Sequence, residues 1–114
     1  MIGTGHRLDK IVESSLSLQQ VRKEDLQFGD MVLITTRNSL YSIYVLDPEN
    51  YLVAGGWFDR KGLSPVKASV AGCTWGGSII KVDTLAACGL RLEFGNRVLT
   101  TTIQKVAVIR GGGN

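Results

Sequence analysis

The segment GCTWGGSIIK, residues 72–81, has the glycine spacing of a phosphate-binding loop. Gly72 and Gly77 match the two glycines of G-x-x-x-x-G-K-[ST], in which backbone amides and a lysine hold nucleotide phosphates. Ser78 stands where that pattern requires lysine, and the apolar run after it indicates a strand, whereas a phosphate-binding loop leads into a helix. The segment therefore predicts a glycine-rich turn that leads into a strand, with Trp75 at the tip of the turn.

The side chains that most often carry catalysis or bind metals are few. His6 is the single histidine, and its N-terminal position predicts a solvated residue rather than a general base. Cys73 and Cys88 lack metal-ligand spacing, so we interpret them as two small apolar side chains of the core, with a disulfide between them as the alternative. The sequence thus predicts no enzyme, no metal site and no cofactor.

Two tryptophans beside glycine pairs are the candidates for binding. Trp57 lies in GGWF and Trp75 in TWGG. One interpretation places both indoles in the core, where glycines let neighbouring strands approach closely. The other makes one indole a stacking platform beside the cations Arg60, Lys61 and Lys81, as in small barrels that bind single-stranded nucleic acid. These five residues are the candidate site.

Charge is distributed unevenly along the chain. The net charge is +3, but residues 1–57 hold five basic and seven acidic residues, whereas residues 58–114 hold eight basic and three acidic residues. The basic C-terminal half favours an anionic partner, with a solvated basic face as the alternative.

Length and hydropathy bound the class of protein. A chain of 114 residues is expected to form one domain with its own core. No apolar run approaches the ~18 residues of a membrane span, and the first residues lack the apolar stretch of a secretory signal. We therefore expect a protein that does not enter membranes and resides in the cytoplasm.

The order of patterns along the chain predicts three segments. Residues 1–24 contain apolar side chains at Leu8, Ile11, Val12 and Leu16, the spacing of a short amphipathic helix that caps the domain or docks on a neighbouring subunit. Residues 25–110 read as seven or eight short strands separated by turn residues, and residues 111–114 as a disordered tail. The fold class is all-β: a small antiparallel β-barrel or sandwich with a short N-terminal helix.

The segment LRLEFGNRVLT gives the clearest local prediction. Apolar and charged residues alternate up to Phe94, which indicates a strand with one buried face. Gly95-Asn96 suits a two-residue type II′ turn, which would pair Phe94 with Arg97 and Leu92 with Leu99.

Two segments resemble the signatures of Sm-like RNA-binding barrels. YSIYVLDPENYLV has the apolar strand, Asp47 and Asn50 of the first signature, and VIRGGGN has the Arg-Gly of the second. The chain lacks the family's glycine in the second strand, and the two segments lie far apart. The resemblance implies RNA contacts at Asp47, Asn50 and Arg110.

A second resemblance covers roughly residues 25–110. TWGGSIIK followed by GLRLEFGNRVLTTT is similar to a family of small uncharacterised bacterial all-β proteins. That similarity implies only the fold and a bacterial origin, because the family carries no assigned activity.

Two functions follow as hypotheses. The helix stripe and the threonines at 100–102, which would offer an open strand edge or face, favour a non-enzymatic assembly module that forms a homo-oligomer. The tryptophans and the basic half favour the alternative, a small barrel that binds nucleic acid or another anionic ligand.

Overall fold

The computed structural model describes residues 15–75 and 79–111, and of residues 15–17 the backbone alone. This part of the chain forms eleven strands and one short α-helix. The strands are β1 Ser15–Leu18, β2 Gln20–Arg22, β3 Met31–Thr36, β4 Leu40–Asp47, β5 Asn50–Gly55, β6 Val66–Ala68, β7 Val70–Thr74, β8 Ile80–Lys81, β9 Thr84–Ala87, β10 Arg91–Phe94 and β11 Ile103–Ile109, and the helix α1 is Gly56–Arg60.

The all-β prediction is confirmed, and two of its details are not. All strand pairs are antiparallel and form three sheets that do not close into a barrel, and there are eleven described strands where seven or eight were predicted. The predicted N-terminal helix falls largely on residues 1–14, outside the described residues. Leu16, its last predicted member, lies in β1, which pairs with β11.

The largest sheet has six strands in the order β1-β11-β3-β4-β5-β6. Its central strands alternate between buried and partly exposed residues, as a sheet with one face on the core requires. The inward side chains are almost completely buried; they are Val32, Ile34, Tyr41, Ile43, Val45, Tyr51, Val53, Ile103, Val106 and Val108.

Two small sheets cover the inner face of the large one. They are β10-β7-β8 and β2-β9, and their buried residues belong to the same core as those of the six-stranded sheet. β9 is buried at all four positions, because it lies between β7 and β11. A single core therefore joins the three sheets.

Three aromatic rings hold α1 in this core. Phe58 packs edge-to-face on Phe94 of β10, with ring centroids 4.8 Å apart, and on Tyr41 of β4 at 6.4 Å. Trp57 and Phe58 both belong to this helix, which follows β5 directly. The strand ends because Gly55 has a φ of 106°, and a Cβ there would overlap the backbone carbonyl of Leu40.

The predicted hairpin after β10 exists, but its pairing is shifted by one residue. Arg97 N–H donates to the Phe94 carbonyl, and Phe94 N–H donates to the Val98 carbonyl, so the loop has three residues. Arg97 supplies the positive φ, 72°, that such a loop needs at its last position. Glu93 consequently faces Leu99, which is 40% exposed and does not pair with Leu92.

The threonines at 100–102 do not form the open edge that was predicted. Thr100 is buried, its N–H donates to the Leu92 carbonyl, and its hydroxyl accepts from the Leu92 N–H. The Thr102 carbonyl accepts from the Arg37 N–H. The segment is therefore bonded to elements on both sides.

One buried carboxylate fixes the end of the six-stranded sheet. Asp30 accepts N–H bonds from Gln27 at 2.9 Å and Gly111 at 3.0 Å, and an ion pair from Arg110 at 2.7 Å. Arg110 also donates to the Asp25 carbonyl at 2.9 Å. Burial alone raises the pKa of Asp30, but the two N–H donors and Arg110 outweigh it and hold that pKa below its usual 3.8.

We expect Asp30→Asn to lower the free energy of unfolding by about 2 kcal/mol near neutral pH, because charge-assisted hydrogen bonds are lost. The folded-state pKa lies below the unfolded one, so this stabilisation is complete above the unfolded pKa and is lost as the pH falls through the folded pKa. Urea denaturation followed by circular dichroism, near pH 7 and at about pH 3, measures both values. The gap between wild type and variant should narrow in acid.

Asp83→Asn is the matched control. Asp83 pairs with Arg22 at 3.2 Å, but both side chains are about half exposed, so its loss should cost less than about 0.5 kcal/mol. Equal losses for the two variants would contradict the role given to Asp30.

Candidate functional site

Trp57 is partly buried and packs against the core. Its indole meets Phe58 edge-to-face at 5.1 Å, and the Lys61 Nζ lies 6.0 Å from its ring centroid. Its backbone N–H donates to the Tyr41 hydroxyl. The neighbouring Arg60 directs Nη1 toward the Ser39 hydroxyl at 3.5 Å. Trp57 is therefore partly buried against the core, with Lys61 beside its ring.

Trp75 is in the opposite situation. It follows the last residue of β7 and is 75% exposed. Ile79 and Val82, on either side of β8, are 76% and 65% exposed. The segment from Trp75 to Val82 therefore carries three of the large exposed apolar side chains among the described residues.

Gly72 explains how β8 reaches β7. Its φ is 145°, and a Cβ at this position would overlap the carbonyl of Lys81 and the side chain of Ile80. The first glycine of GCTWGGSIIK thus allows two strands to approach. The segment ends in a strand, β8, and not in the helix that a phosphate-binding loop requires.

A cavity of about 360 Å³ lies beside Trp75. Its lining includes Trp75, Lys81, Gln19, Gln20 and Cys88. The remaining lining residues are Ala87, Gly89 and Leu90. Among the described residues, the five sequence candidates thus divide into two groups: Trp75 and Lys81 share this cavity, and the other three lie with α1.

Sequence reasoning missed the two glutamines. Gln19 and Gln20 precede the first strand predicted from the sequence, and they reach the cavity because β2 pairs with β9. The only signal was the alternation of QVR around Val21, which is buried between exposed neighbours. Three residues are too few for periodicity to identify a strand.

The two cysteines are free and differ in environment. Cys73 is buried, and its Sγ–H donates to the Leu85 carbonyl at 3.5 Å. Burial raises the pKa of the Cys73 thiol to about 11. Cys88 is partly exposed and lines the cavity beside Trp75. The disulfide alternative is therefore not realised.

The outer face of the six-stranded sheet is a second candidate surface, which sequence analysis did not identify. The row Ile109, Met31, Tyr44 and Leu52 crosses four neighbouring strands in register, and each of these residues is only partly buried. Leu33 lies in the next row, between Ala107 and Ser42.

Phe28 extends this face beyond the end of β3. It is 66% exposed and contacts Tyr44 edge-to-face, with ring centroids 6.1 Å apart. We call Phe28, Met31, Leu33, Tyr44, Leu52 and Ile109 the outer apolar face.

The three residues implied as RNA contacts have partners within the chain. Asn50 Nδ2 donates to both carboxylate oxygens of Asp47, at 3.1 and 3.0 Å, and the Glu49 N–H donates to the same carboxylate. The Asn50 side chain is the main cause of a lowered Asp47 pKa. Arg110 is paired with Asp30. All three residues therefore have a structural role within the chain: Asp47 and Asn50 in a local turn, and Arg110 in a long-range ion pair.

The described residues contain no group of three or more histidine, cysteine or acidic side chains placed to hold a metal ion. None of the helices in residues 15–75 and 79–111 is both long and apolar enough to span a membrane. No protein-family model, curated protein or solved structure matches this chain. Both resemblances stated from the sequence therefore stay predictions.

The opposite environments of the tryptophans can be measured by fluorescence. We expect acrylamide to quench the wild-type protein mainly through Trp75, because that indole is 75% exposed. Trp75→Phe should remove the readily quenched component, and Trp57→Phe should leave it. Similar quenching constants in the two variants would show that the assignment is wrong.

The two thiols should react at very different rates. At about pH 8 a thiol with a pKa of about 11 is ionised in roughly one molecule per thousand, and Cys73 is also buried. We expect iodoacetamide to alkylate Cys88 in the native protein and to leave Cys73 intact, as measured by peptide mass spectrometry. Cys88→Ser should then be unlabelled; a labelled Cys73 in that folded variant would contradict the prediction.

Proposed function

We propose that this protein is a non-enzymatic assembly module that self-associates through the outer apolar face. The observation that carries the proposal is the in-register row of apolar side chains from Ile109 through Met31 and Tyr44 to Leu52. The partner is a second copy of the chain.

The pattern of the central strands supports this. An antiparallel sheet with one solvated face alternates apolar residues inward with polar residues outward. In β3 the outward positions are Met31, Leu33 and Thr35, so two of the three are large and apolar. Such a face loses stabilising free energy when it is left in water, and contiguous exposed apolar patches typically mark interaction sites.

The distribution of polar residues on the same face fits an interface. Lys67 lies at the end of the apolar row, opposite Leu52 on the edge strand β6. Lys105 and Thr35 lie opposite each other, further along β11 and β3 from Ile109 and Met31. An apolar centre with charged residues at its boundary is the usual anatomy of a protein interface.

The size of the sheet is adequate for a dimer of modest affinity. The six strands have between three and eight residues, and at ~3.3 Å per residue and ~4.8 Å between strands they give a projected face on the order of 500 Å². Side-chain relief and Phe28 increase the accessible area above that projection, toward the ~800 Å² per partner of standard interfaces. Two sheets can pack face to face at ~10 Å, which makes a two-fold symmetric pair the simplest arrangement.

We expect Leu33→Lys to weaken self-association at least tenfold, because a central apolar contact is replaced by a charge that must be desolvated. Sedimentation equilibrium or multi-angle light scattering across a concentration series measures the change. Circular dichroism confirms that the variant is folded.

Leu99→Lys is the matched control, since Leu99 is 40% exposed, lies opposite Glu93 and is not part of the outer apolar face. It should associate as the wild type does. A wild-type protein that is strictly monomeric at about 1 mM, or equal weakening by both variants, would overturn the proposal.

A further inference from the structure

We propose that the cavity that Trp75 and Lys81 line together with residues of β2 and β9 binds a mononucleotide. The indole of Trp75 would stack on the base, the side-chain amides of Gln19 and Gln20 would bind the base edge, and the Lys81 ammonium would bind the phosphate. All four residues line the same cavity of about 360 Å³.

The exposed indole is the first element of the site. Trp75 is 75% exposed, so its ring is available to a planar partner. Stacking of a base on an aromatic side chain contributes about 1–3 kcal/mol and tolerates any base, because every base has a π-face. Trp57 offers less ring surface, because it is partly buried and has Phe58 and Lys61 beside its ring.

Charge selects an anionic ligand. Lys81 is an exposed cation, and no carboxylate is among the described residues that line the cavity. Within the described chain Lys81 forms no ion pair, in contrast to Arg22, which pairs with Glu24 and Asp83. A phosphate would therefore meet a cation that is not already neutralised.

The glutamines select a ligand with both donors and acceptors. A glutamine amide offers a carbonyl acceptor and two N–H donors, which match the mixed edge of a nucleobase. The apolar lining from Ala87 and Leu90 supplies a surface for the ring or the sugar. A lone inorganic anion would leave the indole and the apolar lining unused.

The dimensions favour one nucleotide over a strand of nucleic acid. The cavity is at the lower end of the ~300–1,000 Å³ range of small-ligand pockets. Proteins that bind single strands use several aromatic platforms along a basic groove, whereas the described residues that line this cavity include one indole and one cation. Trp57, Arg60 and Lys61 do not line it.

The test is a titration of the full-length protein with AMP, GMP, CMP and UMP at low salt, read by tryptophan fluorescence, with adenosine and inorganic phosphate as separate probes. We expect saturable quenching by nucleotides, weaker binding of adenosine, and no quenching by phosphate. Lys81→Ala should weaken nucleotide binding about tenfold, since a charge-assisted hydrogen bond is lost. The same variant should leave adenosine binding unchanged.

Lys61→Ala is the matched control, because Lys61 is the cation beside the packed tryptophan. It should bind nucleotides as the wild type does. Cys88 gives a second readout: saturating AMP should slow its alkylation in the wild type and not in Trp75→Ala, since Cys88 lines the cavity. Leu33→Lys should keep nucleotide binding whether or not self-association occurs, so this proposal can fail or hold independently of the assembly function.

Several results would overturn the proposal. One is that no nucleotide quenches the fluorescence or protects Cys88 at about 10 mM. Another is that Lys61→Ala and Lys81→Ala weaken nucleotide binding equally. A third is that phosphate binds as tightly as AMP. Single-stranded oligonucleotides that bind far more tightly than mononucleotides, with affinity falling steeply as salt rises, would replace it with a nucleic-acid interface.

Discussion

The packing of Phe58 against Phe94 is the contact on which the arrangement of this protein depends. The two rings meet edge-to-face at 4.8 Å and 88°, and Tyr41 contacts both. Tyr41 belongs to the six-stranded sheet, Phe58 to α1 and Phe94 to the three-stranded sheet. Edge-to-face contacts of buried rings contribute beyond their area, so this junction holds the helix and two sheets in one core.

The candidate surfaces lie where they do because of that junction. β10 is held by Phe94, β7 pairs with β10, and β8 pairs with β7, so the position of Trp75 and Lys81 is set through two strand pairings. β4 is held by Tyr41, whose side chain points to the core. Because side chains alternate along a strand, Tyr44 then points to the outer face. The cavity and the outer apolar face are therefore built on different sheets, and a ligand in one need not compete with a partner on the other.

Much of the fold could be predicted from the two-residue periodicity of apolar side chains and from the residues that favour turns. The alternation of apolar and polar residues is long enough to be recognised in four segments, and each of them forms a strand: β3, β4, β10 and β11. Strands of two or three residues, such as β2 and β8, are too short to show an alternation of apolar and polar residues. For this reason the predicted number of strands was too low, and Gln19 and Gln20 were missed. The hairpin register was wrong because Arg97 adopts a positive φ that the sequence gives no reason to expect.

The two tryptophans show why local sequence could not decide the site. In GGWF the glycines precede the indole. The chain turns at Gly55, whose N–H donates to the Asp59 carboxylate and the Ser64 hydroxyl. This turn brings Trp57 back against the core. In TWGG the indole follows β7, whose residues Cys73 and Thr74 are both buried although they point to opposite faces. Thr74 is the last residue of β7 at which both faces of the strand are covered by other elements, and Trp75 is the first residue after it. The environment of each ring is thus set by which elements reach it, a property of long-range packing that the neighbouring glycines do not encode.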